Sequence, residues 1–215
     1  MANNSHIFGF RPVRDMNSSP YNGLTQIYIF AAADGSTVFK GDVVQFDATN
    51  RSSGIADPYV PGVPAVKALV APATTTAIRG VVAGFVPQPE YNMVATASLG
   101  TMYRIASTLR YGWIIDDYTC IFEAEESGNG YTSATSNAVN KNIDIVYTAG
   151  STTTGVSGVA VDATTVVTNA VKPFQVLRYS QRIDNFNFVA ADTNSRAHYD
   201  LKIQNSDLAM GLNGA

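Results

Sequence analysis

From Tyr118 onward the side chains alternate. Tyr118, Cys120, Phe122 and Ala124 fall on one face and Thr119, Ile121, Glu123 and Glu125 on the other, the period of two expected of a half-buried strand. Before it, Trp113, Ile114 and Ile115 form a short apolar run without helical spacing, interrupted by Asp116 and Asp117 as a bend or bulge. This stretch, residues 103–126, also holds the only Trp and the only Cys, and it reads as the strand-forming centre of the chain. Residues 25–31 (TQIYIFA) alternate Gln26, Tyr28 and Phe30 against Ile27 and Ile29 and stop at the turn dipeptide Asp34-Gly35. Residues 37–39 and 42–47 flank Lys40-Gly41 as strand, tight turn and strand.

Further strands are predicted over 78–86, 142–147, 174–181 and 198–204, with a short one at 159–161. Gly80 and Gly84 mark a bulge or a close backbone approach. Residues 48–77 carry Asn50, Gly54, Pro58, Pro61, Gly62, Pro64 and Pro72, too closely spaced for any helix, and predict a long loop with one weak strand at 65–70. Asp162 is a good N-cap for a short helix through Val171, against which stands the β-branched run at 164–168. Short strands joined by turns, without amphipathic helices between them, predict an all-β fold: an antiparallel β-barrel or sandwich with an extended N-terminal arm and long loops. No internal repeat is visible.

The arm is residues 1–23, ahead of a β-rich globular domain over 24–215. Its apolar residues Ile7, Phe8, Phe10, Val13 and Met16 keep neither period, and Gly9, Pro12, Pro20 and Gly23 punctuate them. At ~3.3 Å per residue, twenty extended residues reach roughly 65 Å, further than the radius of such a domain. Two readings stand side by side: an arm laid across a neighbouring subunit, or one folded back over its own body with Phe8 and Phe10 plugging an open end.

Composition narrows the function classes. The 215 residues suffice to bury roughly 70% of the unfolded surface without a metal or disulfide. Charged residues make up 14% against about 25% in an ordinary domain, which leaves more neutral surface for protein contact. The net charge is -3, the pI about 5.3, and no run of Lys or Arg exists, so a nucleic-acid backbone finds no footprint. Cys120 reads as a small buried apolar residue rather than a thiol nucleophile. The start MANNSHIF lacks the regions of a secretory signal, so synthesis in a cytoplasm is expected, and the glycosylation patterns at Asn3, Asn17 and Asn50 are chance. No segment approaches the ~18 apolar residues of a membrane helix, and no membrane partner is expected.

Chemistry is thinly represented. The histidines are His6 in the arm and His198 at a strand start, with no nucleophile motif near either and no HExxH, Walker or dinucleotide-binding loop. Asp116-Asp117 reads as a turn cap, without a calcium-loop signature, and Glu123, Glu125 and Glu126 as a solvated strand face. The expectation is a non-enzyme with no catalytic residues, metal or cofactor.

Several segments, in order along most of the chain, resemble the capsid decoration (cement) proteins of tailed bacteriophages: 9–14 (GFRPVR), 19–23 (SPYNG), 41–44 (GDVV), 79–85 (RGVVAGF), the strand from Asp116 to Glu123, 150–158, and 177–185 (LRYSQRIDN). The resemblance implies a β-rich virion protein on the outer surface of an assembled head, usually a homotrimer at three-fold positions, bound to the major capsid protein and stabilising the shell against packaged DNA. On that footing the arm would carry the contact, with Phe8, Phe10 and Tyr21 as apolar anchors and Arg11 and Arg14 pairing with acidic capsid residues. Two rivals remain: a carbohydrate-binding or adhesive domain using Tyr59, Tyr91 or Tyr131, and a tail or head-tail connector component.

Overall fold

The computed structural model describes residues 7–47, 63–71, 76–86, 101–127, 138–168, 171–182 and 196–208. Among them there is no helix, and eleven strands run in the order β1 (Arg11–Asp15), β2 (Gln26–Phe30), β3 (Val43–Phe46), β4 (Val66–Ala68), β5 (Gly80–Phe85), β6 (Arg110–Ile115), β7 (Cys120–Glu125), β8 (Asn142–Val146), β9 (Ala160–Val167), β10 (Phe174–Tyr179) and β11 (His198–Ile203). They build a five-stranded sheet, β2-β6-β5-β3-β4, and a six-stranded sheet, β1-β7-β11-β10-β8-β9, antiparallel throughout. The two pack together as a sandwich-like pair rather than a closed barrel.

The apolar alternation read from the sequence fills two cores. Tyr28, Phe30, Val44, Val66, Val82, Phe85 and Ile114 line the inner face of the five-stranded sheet. Phe122, Phe174, Val176, Tyr199, Leu201 and Ile143 line the other, joined there by Val43, Val81 and Ile115 from the first sheet, which is how the halves are welded together. Full burial of each large side chain contributes about 1.5–3 kcal/mol.

The halves share one topology. Without β1, each sheet takes its strands in the spatial order first, fifth, fourth, second, third: β2-β6-β5-β3-β4 and β7-β11-β10-β8-β9. Each curls until first and third strands touch through a single parallel bridge, Ile29 with Ala65 and Glu126 with Val161. Each carries an irregularity in its fourth strand opposite its fifth, between Val82 and Gly84 and between Val176 and Arg178. The chain is therefore a tandem of two equivalent five-stranded modules, a repeat that its sequence conceals.

Four expectations need correction. The segment after Asp162 is not a helix but the long strand β9, because the Asp162 carboxylate accepts the Thr164 amide at 3.0 Å and its hydroxyl at 2.6 Å, a local turn in which the β-branched run stays extended. Glu123, Glu125 and Glu126 are buried, not a solvated face. Tyr118 is half exposed and lies before β7, while Cys120, Phe122 and Ala124 do enter the core. Residues 11–15 of the arm are a strand, hydrogen-bonded to β7. The Asp116-Asp117 turn behaves as read: Asp117 accepts the Thr119 amide at 2.8 Å, and Asp116 accepts the Tyr28 hydroxyl at 2.7 Å.

One buried cation fastens the first module. Arg104 is fully enclosed and donates to the carbonyls of Ala31 (2.6 Å), Asp34 (2.8 Å), Thr108 (2.9 Å) and Ser36, and to the Asp34 carboxylate (3.0 Å). Burial lowers its pKa and Asp34 opposes that shift. Arg104→Ala strands these acceptors and is expected to cost about 3–5 kcal/mol, read as a lower urea midpoint.

Candidate functional site

The arm crosses the body where the modules meet. Phe10 donates its amide to the Gly41 carbonyl at 2.9 Å, Lys40 bridges Val156 in parallel, and Ser157 donates to the Lys40 carbonyl at 2.9 Å. Three backbone segments thus approach within hydrogen-bonding distance, which two glycines permit. Gly9 and Gly41 take φ of +72° and +92°, and a Cβ would fall 2.5 Å from the Ser157 Cβ in the first case and 2.7 Å from the Phe8 carbonyl oxygen in the second.

Asp42, next in the chain, is fully enclosed beneath this crossing and accepts the Phe39 amide at 2.8 Å. Burial pushes its carboxyl up to about 6, against the opposing hydrogen bonds of Ser157 and the Phe39 amide. Just past the crossing Phe10 enters the core, stacked on Phe174 at 4.5 Å and edge-on to Phe122 at 6.5 Å. Phe8 stays partly exposed, stacked on His198 at 5.7 Å with the Arg11 guanidinium over its ring at 5.1 Å.

From Arg11 the arm becomes β1, and a row of charges runs across the outer face of the sheet. Register places Arg11, Glu123, Asp200 and Arg178 side by side on β1, β7, β11 and β10. Glu123 pairs with Arg11 and with Arg182 at 3.1 Å; Asp200 accepts Arg178 at 2.7 Å and has Arg14 at 3.8 Å. Burial alone would raise the Glu123 carboxyl, but the two guanidiniums outweigh it and hold it below the usual carboxylate range. Buried acids here hold the arm in place through its arginines.

Beside the crossing opens a cavity of about 720 Å³. Phe8, Phe10, Tyr21, Val82 and Val156 give it apolar walls, and Arg11, Lys40 and Arg182 give it cations, with no carboxylate among the described lining residues. Burial pushes the Tyr21 hydroxyl up to about 12, with Cys120 adding to the shift, so the ring lines the cavity as a neutral group. Of the residues expected from the sequence, Phe8, Phe10, Arg11 and Tyr21 meet around this cavity, while Arg14 points to Asp200. Phe10 is core rather than a free anchor, and Arg11 and Arg14 are engaged by the chain's own acids. Lys40, Arg182 and His198 were missed, and only a tertiary contact brings them to the arm. Tyr59, Tyr91 and Tyr131 lie outside the described residues.

Cys120 is buried, and that burial pushes its thiol up to about 12, with Asp117 and Asp15 adding to it, which leaves no thiolate at neutral pH. Among the described residues no group of three or more His, Cys, Asp or Glu is placed to hold a metal, and no helix is long and apolar enough to cross a membrane. Comparison with protein-family models, with curated proteins and with solved structures gives no match.

Two outcomes test this geometry. Phe10→Ala is expected to cost about 3–5 kcal/mol in chemical denaturation and Phe8→Ala under about 1.5, since only the first leaves a core cavity. Asp42 binds its proton more tightly folded than unfolded, so its effect is a loss of stability as pH rises from about 4 to about 6. Asp42→Asn keeps an acceptor for Phe39 and removes that loss. The variant should be more stable than the wild type in chemical denaturation at pH 7.5, by on the order of 2–3 kcal/mol, with the gap closing by pH 4.

Proposed function

We propose that this chain is a structural virion protein, a capsid decoration or cement protein that seats on the outer surface of an assembled phage head and stabilises the shell. The observation that carries the reading is the crossing: in a low-charge, all-strand body, the arm and both modules converge on one cavity with aromatic walls and a cationic rim. A protruding acidic and apolar segment of the major capsid protein suits that lining, with Phe8 and Tyr21 as contact surface and Lys40 as the cation. The ordered segments resembling cement proteins support the same reading. A homotrimer touching several capsid subunits would gain avidity from effective concentration, so each contact can be weak.

The arm's role changes in one respect. Because Phe10 and β1 belong to the folded body, removing the arm would damage the protein, and point variants on the cavity rim are the sharper tool. Wild-type protein added to expanded heads lacking it should load to hundreds of copies and raise their resistance to heat. Lys40→Glu combined with Phe8→Ser should bind roughly tenfold more weakly while remaining folded, with a melting temperature lower by only a few degrees. Loading at only a few copies per particle, or loading indifferent to both substitutions, overturns the proposal.

A further inference from the structure

The two modules hold equivalent sheet edges that are treated differently. Aligned on their bulges, the two sets of strand registers place Val82 on Val176, Gly84 on Arg178, Trp113 on Asp200 and Ile27 on Glu123. The charged row Glu123, Asp200, Arg178 of the second module therefore corresponds to an apolar row in the first: Ile27, Trp113, Gly84. In the second module the row continues onto Arg11 of β1, which lies along the free edge of β7. In the first, no described residue occupies the corresponding place beside Ile27.

That edge is open and apolar. Ile29 sends its amide away from β6 to the Pro64 carbonyl at 3.1 Å, so by the two-residue period the Ile27 amide and carbonyl also face outward. Pairing with the chain's own β4 begins only at the Ile29 bridge to Ala65. Ile27 is 46% exposed, Leu24 56% and Trp113 37%, and a Cβ at Gly84 would lie 3.5 Å from the Trp113 ring. The indole thus spreads over a flat glycine position beside Ile27.

We infer that the edge of β2 around Ile27 is a strand-docking site for an extended segment of a partner protein, added to the sheet as β1 is added to β7 and presenting an apolar side chain where β1 presents Arg11. The occupant is a short extended segment rather than a second copy of this chain. The equivalent edge of β7 is covered by one five-residue strand, Arg11–Asp15, an occupant far smaller than the ~800 Å² per partner of a stable protein interface. It offers a short row of backbone groups with an apolar stripe on one side, which is how an added strand gains affinity from the main chain and selectivity from alternate side chains. The inference stands apart from the capsid reading, since it concerns the β2 edge rather than the cavity at the crossing, and any partner of this chemistry.

The test uses the intact protein and a blocked heptapeptide alternating threonine and valine, followed by amide NMR and Trp113 fluorescence. Saturable shifts confined to residues 24–27 and the Trp113 indole are expected at up to ~1 mM peptide. Binding should weaken at least tenfold when alternate peptide amides are N-methylated, when the central valine is arginine, or in Ile27→Lys protein that melts like the wild type. No saturable shift, shifts centred on the outer edge of β9, equal binding of the arginine peptide, or dimerisation of the free protein through these same amides would each overturn the assignment.

Discussion

Everything in this molecule hangs on three backbones meeting at one point. Gly9 of the arm, Lys40 and Gly41 of the first module and Ser157 of the second come so close that no side chain fits between arm and turn. With the amide of Phe10 fixed on Gly41, its ring can only enter the core between Phe122 and Phe174, and the next residues can only run along β7. The contact is short-ranged, and it bears a cost: Asp42 is enclosed beneath it with its charge disfavoured. Cavity, arm and charge row are consequences of that closure.

The equivalence of the modules shows how one scaffold carries two chemistries. Strand order, the closing parallel bridge and the fourth-strand irregularity are backbone properties, and they are shared. The outward-facing row is a side-chain property, and it differs at every aligned place. Acids in one module pair with arginines of the same chain, including those of β1, and sit buried among them; an apolar row in the other stays in solvent. A salt-bridged edge is selective because an unpaired buried charge is penalised, whereas an apolar edge accepts more partners and holds each less firmly.

Strand content and most boundaries were legible because a period of two speaks for itself: the alternations at residues 25–31, 142–147 and 174–181 became β2, β8 and β10. Alternation says which residues share a face but not what covers that face, which is why Glu123 and Glu125 read as solvated though five arginines lie around the acids of that face. The Asp162 reading failed because one side chain serves an N-cap and a local turn equally well, and the following β-branched residues decided the outcome. The shared topology of the modules was not legible along the outward row, since Ile27 and Glu123, Trp113 and Asp200, Gly84 and Arg178 have no chemistry in common. Four of the five expected site residues do surround one cavity, but Lys40 and Arg182 join them through contacts no local pattern encodes.

The placement of β1 also has a consequence in time. Apart from β1, every strand pairs within its own half of the chain, so each half can close soon after it is made. Arg11 and its counterpart Glu123 are 112 positions apart, and Phe174, the ring beneath Phe10, comes later still. At about 5–20 residues per second on the ribosome, some 6–22 s separate the synthesis of the arm from that of the edge it will cover. Throughout that interval β1 has been made but its partner edge has not, and the growing chain carries a loose aromatic strand while the first module is already built.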